Sequence, residues 1–314
     1  MTKVKVFSFC NRDNGSVRNF KRSLTKFGWD YEIVGEKEKF EGWSWRTKLY
    51  IKTLQNLMND PNKPDIVFLV DANDLLFIQS PSAFLKKWEI LSQSHKVYVS
   101  GENACCPGEF ENPFKRNPFL KSYLDKDHVK NIKGINIFPN AGCIFGELKS
   151  TIDLLIKNQD AEDDQIGLTK IFHDDPNAFG IDSEQTVAAS LGSGQNLPLL
   201  IRKVLQSRYF NEPDSDTFYN YSFVKNDNEV FLQWDRNKDQ PILIHFPGKN
   251  FKDYNKIGKN FQGNEFEEES LQNLEQLAQQ ESFWTWILIV SLIVLLLVII
   301  FIPLLVIQPW NDPK

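Results

Sequence analysis

Residues 283–307, from Phe283 to Ile307, form an apolar run of 25 residues with no charged side chain. As a helix rising about 1.5 Å per residue, such a run spans about 37 Å, enough to cross a hydrocarbon core of about 30 Å with tilt. Trp284 and Trp286 stand at one end and Trp310 just past the other, the places of aromatic anchors at the two interfaces. A buried core helix is the competing reading, but the run is too long and too uniformly Leu/Ile/Val for it. The sequence therefore predicts a transmembrane helix over 283–307 and a short tail over 308–314. Residues 263–282 are acidic and Gln-rich, with Leu271, Leu274 and Leu277 at helical spacing, and are expected to form a stalk. Residues 1–262 are then a globular head hung from the membrane.

The head has the length of one large domain or two small ones, and its abundant Phe supports a sizeable core. A net charge of −5 argues against nucleic acid as a partner. The first residues run straight into a strand-like segment with no secretory h-region. Insertion after synthesis, with the head in the cytosol, is the expected topology. Cys10, Cys105, Cys106 and Cys143 lack disulfide-framework or zinc spacing, which agrees with a reducing compartment. The sequons at Asn14 and Asn220 are commonplace by chance.

Along the head, Val4–Phe9 reads as a strand and residues 11–15 as a loop. Tyr50, Leu54, Leu57 and Met58 give helical spacing over 44–59, ended by Pro61 and Pro64. Ile66–Val70 is a continuous apolar run of strand length, suited to burial on both faces. A helix over 82–91 and a strand over 97–99 follow. Residues 103–138, rich in Pro, Asn and Lys, read as a long functional loop. Then come a strand over 143–145, helices over 150–157 and 183–191, and a strand over 242–246. The alternation predicts an α/β fold with a mainly parallel sheet.

Four segments carry candidate chemistry. Asp71-Ala-Asn-Asp74 directly follows the buried strand, and in open α/β sheets ligands bind beyond the carboxyl ends of strands. Two carboxylates in a tight turn there suit a hard cation, Mn²⁺ or Mg²⁺, shared with substrate phosphates. His245-Phe-Pro-Gly-Lys249 closes the last strand. A neutral imidazole there would complete the ion's coordination, Gly248 would admit a phosphate, and Lys249 would offset its charge. Glu162-Asp163-Asp164-Gln165 would keep Asp163 and Asp164 near a reacting carbon, or else is a solvated acidic face. Trp43-Ser-Trp-Arg46-Thr-Lys48 enters a helix, whose N-terminus favours anions, with Arg46 and Lys48 adding charge; packing of two tryptophans at a helix start explains it equally well.

In order, these segments resemble the glycosyltransferase domain of procollagen lysyl hydroxylases and its viral relatives. The similar stretches are Val67–Phe77, Ser80–Lys87, Val99-Ser-Gly-Glu-Asn103, Asn140-Ala-Gly-Cys-Ile-Phe-Gly146, Asp163–Phe172, Ile181-Asp182 and His245–Lys249. The His-x-x-Gly-Lys end is also similar to glycogenin-like enzymes. The resemblance implies a GT-A fold, a UDP-sugar donor, a Mn²⁺ ion and a hydroxyl acceptor on a protein or glycan. It implies that Asp71, Asp74 and His245 hold the metal and that Lys48 and Lys249 face the diphosphate. It places Asn140 among the donor-binding residues, and Asp163 and Asp164 at the sugar and acceptor. Ala141 departs from the family's usual Ser, the acidic run is short, and an apolar tail stands in place of a hydroxylase domain. A metal-dependent phosphoesterase built on the same carboxylates, or a non-catalytic sugar-binding head, are the alternative functions. Two-metal hydrolases need more ligands than this chain's four histidines readily supply.

Overall fold

The central strand, β3 (Ile66–Asp71), explains the layering of the head. Val67 and Leu69 point into one apolar cluster, while Ile66, Phe68 and Val70 point into another, so both faces of the sheet are covered. The structure is a computed structural model. It describes residues 2–103, 118–191, 221–226, 229–234, 240–247, 251–268 and 291, apart from residues 12, 37 and 135. Met1–Glu268 forms one compact unit.

Around β3 lie β1 (Val4–Phe9), β2 (Asp30–Val34), β5 (Val97–Glu102), β6 (Phe138–Glu147) and β7 (Gly180–Asp182), in the order β2-β1-β3-β6-β5-β7. β2, β1 and β3 are mutually parallel, β6 is antiparallel to both β3 and β5, and β7 is parallel to β5. The sheet is therefore mixed: five strands share one direction and β6 opposes them. On one face pack α2 (Trp43–Leu57), α4 (Pro118–Asp125), α6 (Leu148–Asn158) and α7 (Asp164–Asp174). On the other pack α1 (Gly15–Lys26) and α3 (Pro81–Leu91).

A second sheet forms from β4 (Leu75–Phe77), β8 (Ala188–Ser190) and β11 (Leu243–His245), ordered β4-β11-β8. β9 (Tyr221–Asn226) and β10 (Glu229–Trp234) form a separate two-stranded antiparallel sheet. A further helix, α8 (Phe251–Gln262), packs Tyr254 and Ile257 against Leu76 and Ile244 of the second sheet and Phe246 just beyond it.

Several sequence expectations are corrected. α1 and β2 were not anticipated; Asn14 caps α1 by accepting from Val17 N, and Val17, Phe20 and Leu24 bury one stripe. The stretch expected as one loop over 103–138 contains α4 and the short α5 (Asp127–Lys130), with residues 104–117 outside the described set. The expected helix over 183–191 is instead a turn leading into β8. The Asp182 carboxylate accepts from the backbone N–H groups of Thr186, Val187 and Ala188, offering an alternative to helical pairing. Gln185 also adopts φ +56°, which breaks a helix.

Among the described residues, no helix is long and apolar enough to cross a membrane. The expected span over 283–307 lies outside them, Ser291 apart, as do residues 269–282 of the expected stalk, Cys105, Cys106 and Asn220. The first residues assigned to that stalk pack on the head. Glu267 N donates to Asn19 Oδ1 at 2.9 Å, and the Glu267 carboxylate pairs with Arg18 and Arg22.

Candidate active site

Asp71 ends β3, and the three-residue turn that follows delivers Asp74 immediately before β4. The second sheet then places the histidine. β11 runs antiparallel to β4 with His245 opposite Leu75, and Phe246 N donates to Asp74 O at 2.8 Å. Asp71, Asp74 and His245 consequently each offer a ligand atom within 4.8 Å of the others, with His245 Nε2 at 3.5 Å from Asp74 Oδ1. His245 is 2% exposed. Burial alone would lower its pKa, but Asp74 above all, with Asp71 and Glu102, outweighs burial and raises it.

This set fits a hard divalent cation. Two carboxylates and one imidazole supply the oxygen and nitrogen donors such ions accept. Local packing is also shaped around the imidazole. A Cβ at Gly142, on β6, would lie 2.3 Å from His245 Cε1 and 2.8 Å from Nε2, so only glycine lets the ring sit there. Asn140 Oδ1 accepts from Gly142 N at 2.8 Å, fixing that strand segment.

A polar chain surrounds the cluster. Arg46, on the first turn of α2 and 7% exposed, donates from Nη1 to Asp71 Oδ1 at 2.6 Å and from Nη2 to Asp164 Oδ2. Its guanidinium also lies 4.5 Å from the Trp43 ring centroid. Desolvation acts to lower the Arg46 pKa, and the Asp71 and Asp164 carboxylates more than reverse it, so the ion is locked in its charged form. Asp164 opens α7, and Asp163 caps it by accepting from Ile166 N at 2.8 Å. Half-burial raises the Asp163 pKa despite that bond. Beside Asp164, Gln165 Nε2 donates to Glu102 Oε1, and Asn140 Nδ2 donates to Glu102 Oε2 at 2.9 Å. A β-bulge between Val99 and Ser100 shifts the β5–β6 register just before Glu102, re-aiming the strand end.

The structure thus gathers Asp71, Asp74, His245, Arg46, Asp164 and Asn140 into one neighbourhood. Arg46 spends its paired donors on carboxylates, so its contacts hold the site together. Lys48 is largely exposed and pairs with Asp160 at 3.0 Å. Gly248 and Lys249 lie outside the described residues. Sequence reasoning passed over two residues of the arrangement, Glu102 and Gly142. Both lie inside the family-like stretches 99–103 and 140–146, but only the bulge and the imidazole's packing reveal what they do.

A family model described as the PLOD GT domain matches residues 1–193. The chain belongs to this family of glycosyltransferase domains. The family expected from the ordered motifs is therefore the family found, and the matched stretch contains Asp71, Asp74, Asn140, Asp163 and Asp164, while His245 lies beyond it. A solved viral protein described as a glycosyltransferase involved in the glycosylation of the major capsid of PBCV-1 is similar at 9% identity. It covers 82% of this chain and 98% of its own, with a TM-score of 0.42. No curated protein matches the chain.

Proposed function

We propose that this domain transfers a sugar from a UDP-sugar donor to a hydroxyl of a protein or glycan, using Mn²⁺ or Mg²⁺ held by Asp71, Asp74 and His245. The observation that carries the reading is the convergence of those three side chains beyond the carboxyl end of β3 in a glycosyltransferase-family chain. When bound, the ion would neutralise the diphosphate as it leaves.

The chain's own residues do the rest. Arg46 fixes the Asp71 carboxylate and ties it to Asp164, so the start of α7 is held beside the end of β3. Asp163, half-buried at that helix start, offers a carboxylate for the positive charge that develops on the sugar ring, or as a base for the acceptor hydroxyl. Lys48 and Lys249 are assigned to the diphosphate on the resemblance alone. Residues 283–307 are proposed to cross a membrane on their length and apolarity, with the head on the cytosolic side. Cys143, a buried thiol with no disulfide, agrees with a reducing compartment.

The test is a screen of UDP-sugars for donor hydrolysis and transfer, with and without Mn²⁺. Turnover that depends on both the ion and one UDP-sugar supports the reading. Full activity in chelator, or release of phosphate from simple phosphoesters instead, overturns it.

A further inference from the structure

Two polar atoms beside the candidate metal cluster are buried with no hydrogen-bond partner among the described residues: His245 Nδ1 and Ser190 Oγ. His245 and Ser190 are 2% and 3% exposed. They also face each other across a strand pair. β8 runs parallel to β11 with Ser190 in register with His245, so their side chains leave the second sheet on the same side. Leu191 N donates to His245 O at 2.7 Å, which pins that register at its end.

We propose that Ser190 is a positioning residue for His245, its hydroxyl accepting the Nδ1–H when Nε2 binds the cation. The inference rests on the metal reading above. A metal-bound imidazole presents one nitrogen's lone pair to the ion and carries its proton on the other nitrogen. That N–H ordinarily finds an acceptor, which fixes the tautomer and the ring plane. Here Nε2 is the edge turned toward Asp74, so Nδ1 is the edge that needs the acceptor. A serine hydroxyl moves between staggered rotamers at fixed backbone, and Oγ stands only two bonds from Cα. Two buried atoms that each lack a partner are thereby satisfied by one bond.

The approach to β8 is built to hold Ser190 in this place. The Asp182 carboxylate gathers three backbone N–H groups of residues 186–188. Gln185 adopts its left-handed conformation and donates from Nε2 to Ser190 O at 3.2 Å. A non-glycine residue at positive φ persists where its surroundings impose it, and such residues gather near functional sites.

The experiment compares the full chain with Ser190→Ala, Ser190→Thr and Asp74→Asn. Mn²⁺ affinity is read by EPR titration, the remote nitrogen of the bound imidazole by pulsed EPR, and stability by melting without metal. Ser190→Ala is expected to weaken Mn²⁺ binding by about 10- to 100-fold. It should alter the remote-nitrogen coupling and leave the metal-free melting temperature unchanged, because the hydroxyl it removes has no partner there. Ser190→Thr keeps the acceptor and is expected to stay near wild type. Wild-type Mn²⁺ affinity and unchanged coupling in Ser190→Ala, alongside lost binding in Asp74→Asn, overturns the role of Ser190 and leaves the metal site standing. Absence of Mn²⁺ binding in the wild type overturns both.

Discussion

Replacing Gly142 by alanine adds one methyl group and probes the imidazole's placement directly. The new Cβ would stand 2.3 Å from His245 Cε1, where ordinary contact begins at 3.4 Å, so something must move by about 1 Å. The β6 backbone resists, since Gly142 N is held by Asn140 Oδ1 at 2.8 Å and the neighbouring Cys143 is paired with Val70 of β3. His245 is the element left to shift, although β11 itself is paired on both sides. Overpacking of this kind costs about 1–3 kcal/mol of stability. Ligand positions at a metal site tolerate about 0.2 Å, and a misplacement of about 1 Å costs on the order of 100-fold in rate. The expected outcome is a folded protein whose Mn²⁺ affinity and kcat/KM both fall by one to two orders of magnitude. Circular dichroism checks the fold, calorimetric titration the metal and a UDP-sugar transfer assay the rate. Wild-type affinity and turnover in a folded Gly142→Ala protein would refute the placement of His245 at the ion.

Asp74→Asn is expected to keep the fold and lose transfer at limiting Mn²⁺, since it removes one anionic ligand; restoration by no more than the wild-type metal concentration would contradict this. Arg46→Met removes the cation that Asp71 and Asp164 share in a buried setting, and is expected to destabilise by about 3–5 kcal/mol in chemical denaturation. Arg18, then Arg22, holds the Glu267 carboxyl at about 2, below the ordinary 4.5. A depressed folded pKa contributes stability that is full above about pH 4.5 and fades as pH falls toward about 2. Melting curves should show that acid-side slope flatten in Glu267→Gln. A chain ending at residue 262 loses Phe266, which is 8% exposed against Tyr254, and should be less stable than one ending at 268 by about 2 kcal/mol.

Much of the framework was legible in the chain itself. Ile66–Val70 announced a strand buried on both faces because both of its side-chain sets are apolar, and the tertiary structure covers both. Asp71 and Asp74 were legible as candidate ligands because a strand end followed by a carboxylate-rich turn is a local pattern. The helices expected over 44–59, 82–91 and 150–157 are found at 43–57, 81–91 and 148–158, within a few residues at each end. The ordered motifs were enough to name the family.

What only the folded molecule decided is long-range. His245 lies 171 residues beyond Asp74, and nothing local says that β11 pairs β4 in the register that brings them together. Arg46 looked like an anion-binding residue because a helix start with basic charge suggests one; tertiary packing instead hands its guanidinium to two carboxylates. Residues 183–191 have helix-compatible composition, yet the buried Asp182 takes their N–H groups and β11 claims them as a strand partner. Sequence periodicity reports what a segment does with its own neighbours. Pairing register, buried charge networks and the space beside an imidazole depend on chain segments distant in sequence, and their energies appear only once those segments meet.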